Sequence, residues 1–274
     1  MREIFETISK LTREGKTFAV ATITGHTGAV PRRVAKMVIN ADGTTIGTIG
    51  GGCVETEVVG EARKLLREGV KGVHVKNYDL IEEEFGGVGM NCGGKVEVAI
   101  EIIEPTPKLV IIGSGHLAQA LSRMGKMLEF DIIVLDPMAK KESFPEAMQV
   151  IPEFVEKGFP KVDIDQSTYI VILTRHKDDI PALQVSLKTK PAYVGMIASR
   201  RRVALVFKQL LKEGLTEEEL ARVYSPVGLD IGAETPEEIA VSILAEIIRI
   251  RRLGKEQEPA SKKIGLQTIK ALDK

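Results

Sequence analysis

Two thiols and two glycine-rich turns are the parts of this 274-residue chain best equipped for chemistry. Cys53 directly follows Gly50-Gly51-Gly52 and opens a stretch in which Val54, Val58, Ala62 and Leu65 recur at helical spacing. A thiol placed there sits at a helix N-terminus, where the dipole favours thiolate over thiol. Three consecutive glycines each give up ~0.5–1 kcal/mol of backbone entropy relative to alanine when ordered. Their use is to bring bare backbone against a ligand or another chain segment. The alternative is a small side chain closing a tight turn. Cys92 stands in a second glycine-rich run, Gly86 to Gly94. The two thiols either converge on a soft metal or sulfur-bearing ligand, or lie in loops that share no site.

The other turn reads Gly113-Ser114-Gly115-His116-Leu117-Ala118, after the apolar run Lys108 to Ile112. An apolar run, Gly-x-Gly-x-x-Ala and a periodic helix describe a buried parallel strand turning into a helix, the opening of a Rossmann unit. Gly113 permits the turn, Gly115 lets a ligand's phosphates approach the backbone, and Ala118 keeps helix and strand close. The helix N-terminus then offers unpaired N–H groups to an anion. Asp136 ends the next apolar strand, where an acid accepts from a ribose hydroxyl. His116 faces the same crevice, as a ligand contact or as a hydrogen-bonding spacer. The same fold with an emptied pocket is the competing reading.

Further along, Tyr169 to Leu173 is a strand followed by the polar string Thr174 to Asp179, and Ala192 to Ile197 is another strand. Ser199-Arg200-Arg201-Arg202 comes next, with Ser199 a natural N-cap. Three arginines in a first turn oppose the macrodipole by ~0.3–1 kcal/mol each. They make sense where an anion or a partner's carboxylates occupy the corner; a solvated basic patch is the alternative. A glycine-punctuated loop, Ser225 to Glu234, carries Asp230. Thr235-Pro236-Glu237-Glu238 then forms a capping box with proline first, opening an amphipathic helix that ends near Gly254.

The elements that must hold these residues divide at Glu104-Pro105-Thr106-Pro107, an extended joint. Before it, Ile4, Phe5, Ile8 and Leu11 mark one helix face, and Phe18–Ile23, Lys36–Asn40, Thr44–Ile49, Val73–Tyr78 and Lys95–Glu101 read as strands. Gly25 to Arg33 reads as a loop. The expected fold is α/β: an α+β domain over 1–104, a Rossmann-like doubly wound parallel sheet over 105–254, and a polar tail over 255–274. Basic and acidic residues balance at 38 each, so net charge argues for neither nucleic acid nor an anionic membrane. No apolar run approaches the ~18 residues of a membrane span, and the opening residues lack a signal-peptide core. Two cysteines are too few for a disulfide framework, and a cytoplasmic protein with reduced thiols is expected.

Taken together, these motifs resemble the XdhC/CoxI family, accessory proteins of molybdenum hydroxylases. The resemblance runs over roughly Thr17 to Arg252. It rests on the Gly28–Arg32 loop, Lys36-Met37, Gly51-Gly52-Cys53-Val54-Glu55, Cys92-Gly93-Gly94, Gly113-Ser114-Gly115-His116, Ser199–Arg202 and Pro226 to Ala240. Two departures stand out: Gly28-Ala29-Val30-Pro31 where the family has Gly-Ser before Pro-Arg, and a glycine fewer in Arg33 to Lys36. The resemblance implies a CoxI-type N-terminal domain and a role as a maturation factor rather than an enzyme. Such a factor binds the molybdenum cofactor (molybdopterin), protects it during sulfuration and inserts it into a xanthine dehydrogenase-type hydroxylase. The implied partners are the apo molybdenum hydroxylase and a cysteine desulfurase, with a homodimer expected.

The cofactor is a phosphorylated pterin dithiolene, so a carrier needs an anion seat and control over the metal. Gly51, Gly52, Cys53, Gly113, Gly115, His116, Asp136, Ser199, Arg200, Arg201 and Asp230 are the candidate contacts. Cys53 is the candidate transient molybdenum ligand and Cys92 a weaker one. The competing class is an oxidoreductase or nucleotide sensor that holds NAD(P) or a flavin nucleotide in the same Rossmann domain.

Overall fold

Alternation along the first strands decides the layering of the N-terminal unit. In β1 (Phe18–Gly28), Ala19, Ala21 and Ile23 join one hydrophobic cluster while Phe18 and Val20 join another. Successive side chains of a strand point to opposite faces, so the two clusters lie on the two faces of one sheet. Helix α1 (Arg2–Arg13) covers one face through Ile4 and Leu11, and α2 (Gly52–Glu68) covers the other through Val58, Ala62 and Leu65. Phe5 was expected on the buried stripe of α1 but is 55% exposed. The stripe runs through Ile4, Ile8 and Leu11, and Phe5 falls beside it.

The remaining strands are β2 (Lys36–Asn40), β3 (Thr45–Gly47), β4 (Gly72–Leu80) and β5 (Gly94–Ile103). They complete a five-stranded sheet in the order β3-β2-β1-β5-β4, antiparallel throughout. Gly25 to Gly28, read from sequence as loop, continue β1 and pair with Glu97 to Gly94 of β5 after an irregularity at Ile23/Gly25. Pairing with a long neighbour overrides the turn signal of the glycines.

The computed structural model describes residues 1–28, 35–80, 94–174 and 178–253. Cys92, most of the Gly28–Arg33 loop, Arg175 to Lys177 and the tail from Gly254 lie outside them. The chain separates into two compact units, Met1–Pro105 and Thr106–Lys274.

The second unit strings β6 (Lys108–Ile112), α3 (His116–Met127), β7 (Asp131–Leu135), β8 (Gln149–Ile151), α4 (Val155–Gly158) and β9 (Thr168–Ile172). It continues with α5 (Asp179–Leu187), β10 (Tyr193–Met196), α6 (Arg200–Lys212), α7 (Glu217–Leu220), β11 (Val223–Tyr224) and α8 (Pro236–Leu253). The six strands pair in parallel in the order β11-β10-β9-β6-β7-β8. Renumbered from β6, this is the doubly wound dinucleotide-fold order, with its switch point between β6 and β9. Apolar residues face both ways. Leu109 and Ile111 pack with α3 and α8, whereas Val110 and Ile112 pack with α5 and α6. At the amino edge, Lys108 Nζ reaches Asp163 Oδ2 at 3.1 Å and Asp165 Oδ2 at 2.9 Å, tying β6 to the approach of β9.

Candidate functional site

In an open parallel sheet the ligand crevice lies beyond the carboxyl ends of the strands, at the switch point. Here that edge is built by the turns after β6, β7, β9, β10 and β11. Gly113 follows β6 with φ +134°, and a Cβ there would stand 2.6 Å from the Leu173 carbonyl oxygen beyond β9. Its glycine therefore serves the close approach of the two central strands. Gly115 differs. Its backbone is extended (φ −72°, ψ −179°), and a Cβ would meet nothing within 4 Å. The space over Gly115 is open, as a phosphate cradle requires. Gly115 caps α3 without a side chain, and the helix has no acid in its first turn, so its N-terminal amides face the crevice unneutralised by their own helix. His116, the first residue of α3, is exposed.

Asp136 follows β7 and is half-buried. Its Oδ1 accepts from Ser114 Oγ at 2.9 Å and from the Met138 N–H at 2.7 Å. The acid at the end of the second strand is thereby locked to the glycine turn of the first, a contact that the sequence did not foretell. After β10, Ser199 Oγ caps α6 by accepting from the Arg202 N–H at 3.3 Å. Arg200 and Arg201 are exposed at this helix start. Arg202 is committed inward: its Nε and Nη2 both lie 3.1 Å from Oδ2 of Asp179, which is 2% exposed. Thr174 Oγ1 donates to the other oxygen of the same carboxylate. The three-arginine first turn thus holds an internal partner for one cation and leaves Arg200 and Arg201 turned to solvent. Asp179 belongs to the polar string noted after β9, but nothing in its spacing pairs it with Arg202. Asp230, in the loop after β11, is exposed.

Gly113, Gly115, His116, Asp136, Ser199, Arg200, Arg201 and Asp230 accordingly share one edge of one sheet. Gly51, Gly52 and Cys53 belong to the other unit, at the start of α2. Gly50, Gly51 and Gly52 all have positive φ (127°, 80° and 72°), a conformation that L side chains rarely adopt. One carboxylate gathers this turn. Glu55 Oε2 accepts from Thr48 Oγ1 at 2.6 Å, the Ile49 N–H at 3.1 Å and the Gly51 N–H at 3.0 Å. Partial burial raises the Glu55 pKa, but these hydrogen bonds outweigh it and hold the carboxyl below its ordinary 4.5. Cys53 is exposed beside this clamp. Glu57 and Glu61 of α2 act electrostatically on Tyr78 of β4, and Lys76 Nζ lies 3.4 Å from Glu61. Among the described residues, no group of three His, Cys, Asp or Glu could hold a metal ion, and no helix is long and apolar enough to cross a membrane.

A six-stranded doubly wound sheet with a glycine turn, an open helix N-terminus and a terminal acid defines the second unit as a dinucleotide-type Rossmann domain. The family description "XdhC Rossmann domain" matches residues 109–247, and "XdhC and CoxI family" matches residues 11–79. The chain belongs to the XdhC/CoxI family. It is 36% identical over 252 residues to the uncharacterised protein YqeB of Escherichia coli K12, covering 90% of this chain and 46% of YqeB. The chain thus spans about half the length of that relative. It is 23% identical over 276 residues to the molybdenum cofactor insertion chaperone PaoD of the same organism, covering 86% of this chain and 84% of PaoD. Among solved structures, a xanthine dehydrogenase from Bacillus halodurans shares the fold at TM-score 0.50 and 23% identity, over 94% of this chain and 98% of that one.

Proposed function

We propose that this chain is a molybdenum cofactor-binding chaperone that shelters the cofactor during sulfuration and delivers it to a xanthine dehydrogenase-type molybdenum hydroxylase. The observation that carries the reading is the open carboxyl edge of the Rossmann unit, in a family whose relative PaoD is named a molybdenum cofactor insertion chaperone. A phosphorylated cargo needs an anion seat. The bare amides at Gly115 and His116 supply one, and Arg200 and Arg201 supply cationic charge along the same edge. Asp136, Ser199 and Asp230 offer polar contacts to the rest of the molecule. Cys53, at an N-terminal helix start whose turn is held by Glu55, is the proposed transient molybdenum ligand, with Gly51 and Gly52 beside it. A cysteine desulfurase, the apo hydroxylase and a second copy of this chain are its proposed partners, in the cytoplasm.

Purified protein should retain cofactor released from a molybdenum hydroxylase, detected by elemental analysis for molybdenum and by absorbance. It should also restore activity to an apo hydroxylase. Cys53→Ser should lower cofactor retention or client activation several-fold while leaving the fold intact. Normal values for both would rule out the role proposed for Cys53. Asp136 at the end of β7 favours a second reading, a nicotinamide or flavin nucleotide held through its ribose. Titration with NAD in parallel separates the two: tight NAD binding without cofactor retention selects the nucleotide site.

A further inference from the structure

Helix α8 carries one acid on its buried side. Glu246 is fully buried, one position before Ile247 and three after Ile243 in a helix that packs on the sheet through both. Placing a carboxylate among such residues is unfavourable unless it is hydrogen-bonded. Its partners indicate what the acid is for. Glu246 Oε2 accepts from the Tyr193 hydroxyl of β10 and, at 3.1 Å, from the Gly228 N–H. Burial first, and then the neighbouring carboxylate, push the Tyr193 hydroxyl well above its ordinary 10, so it stays a donor.

Gly228 lies in the segment that leaves β11 and returns as α8 by way of Asp230. It has φ +96°, and a Cβ on it would collide with Ser242 Oγ. Around it the segment is pinned repeatedly. The Ser225 hydroxyl and the Val227 N–H both donate to the Met196 carbonyl at the end of β10, at 2.9 and 3.2 Å. The Leu229 N–H donates to the Ser242 carbonyl at 3.3 Å, and Ser242 Oγ donates back to the Leu229 carbonyl. Residues 225–229 are therefore held between β10 and α8, and Asp230 to Glu234 emerge from this clamp as an exposed loop at the carboxyl edge.

We infer that Glu246 is a positioning residue for the Rossmann crevice. Its carboxylate fixes Gly228, and through it the loop bearing Asp230, on the carboxyl edge that also carries the anion seat. This rests on the proposal that the carboxyl edge holds the cofactor, and extends it to a fully buried residue. A purely structural acid would contribute to the stability of the unit and to nothing else.

The test compares Glu246→Met and Glu246→Gln with wild type by thermal unfolding, hydrogen exchange of residues 226–232, and binding of cofactor released from a purified molybdenum hydroxylase. Methionine fills the volume and removes both hydrogen bonds, leaving the Tyr193 hydroxyl and the Gly228 N–H without this acceptor. Glutamine keeps one oxygen able to accept from both donors. Glu246→Met should lower the unfolding temperature through the loss of both hydrogen bonds, exchange faster across 226–232 than across the rest of the unit, and bind cofactor about tenfold more weakly, the equivalent of ~1.4 kcal/mol. Glu246→Gln should restore both readouts. Unchanged exchange in Glu246→Met, or faster exchange with unchanged binding, would overturn the inference. So would an unfolding temperature that falls in step with affinity in both variants. Failure of the wild type to bind the cofactor would instead overturn the proposed function, and the exchange comparison would still decide whether Glu246 holds the loop.

Discussion

The chain makes a glycine turn ahead of a helix twice, and the two turns solve different problems. At Gly50–Gly52 all three glycines are in the left-handed half of backbone space, and a carboxylate four residues past the cap, Glu55, takes the amides of Ile49 and Gly51 for itself. At Gly113–Gly115 only the first glycine has positive φ, and the crowding around it comes from a neighbouring strand. The second is ordinary backbone facing open space, and no acid of the helix's first turn answers its dipole. A glycine-rich turn before a helix is thus not an anion site by itself. What distinguishes the two is whether the chain has already filled the seat. By that measure the α2 turn presents a thiol over a closed clamp, while the α3 turn presents an open seat.

Substitutions can break this contrast, and the largest effect belongs to Gly113. Gly113→Ala should cost about 3 kcal/mol or more in urea unfolding, because it combines a forbidden φ with a backbone collision. Gly115→Ala should change stability by less than about 1 kcal/mol and yet weaken cofactor binding about tenfold (~1.4 kcal/mol). Equal stability losses at both positions would make Gly115 another packing glycine. Next in size is Glu55→Ala. Opening the clamp should destabilise the N-terminal unit by about 1–2 kcal/mol in thermal unfolding.

A smaller change would make the α3 turn resemble the α2 turn. Gln119 stands four residues after the Gly115 cap, as Glu55 stands four after Gly51. Gln119→Glu should lower the affinity for an anionic ligand by the equivalent of ~0.3–1 kcal/mol, an effect that added salt screens. Undiminished affinity in titration would show that the ligand does not use the α3 dipole.

The smallest effect is the pH dependence. Glu55 has its folded pKa below 4.5, so its contribution is complete above that value and disappears as pH falls through the folded pKa. Asp165 behaves in the same way below its ordinary 3.8, since its bonds from Ser167 and Lys108 outweigh the opposing effect of burial. Burial lowers the Lys108 pKa, but Asp165 and Asp163 outweigh it and raise the ammonium above its ordinary 10.5, so its share disappears only as pH climbs above that value. Acid unfolding followed separately in the two units should therefore lose its lowest-pH component in the first with Glu55→Gln and in the second with Asp165→Asn.

The Rossmann core was legible because its evidence is local: an apolar run, two spaced glycines, a periodic helix and a second apolar run stand next to one another in the chain. Strand β11 was not, being two residues long between polar neighbours. The Gly25–Gly28 segment misled because its turn residues are overruled by a partner some seventy positions away. At the site, the positions of Gly113, Gly115, Asp136 and Ser199 on the carboxyl edge followed from element order alone. The pairings did not. Asp179 with Arg202, Ser114 with Asp136, and Glu246 with Gly228 join residues that only the folded sheet brings together. Glu246 left the clearest trace, an acid on the apolar side of α8.

The aromatic residues have a practical consequence. Tyr169, Tyr193 and Tyr224 stand side by side on β9, β10 and β11, with ring centroids 6.5 and 4.7 Å apart, and Phe130 closes the row edge-on at 5.6 Å. The chain has no tryptophan and four tyrosines, and the fourth, Tyr78, belongs to the N-terminal sheet. Near-ultraviolet dichroism therefore draws most of its tyrosine signal from the Rossmann half. The protein contains its own optical gauge of whether that half has kept its packing while the other half is cut, mutated or exchanged.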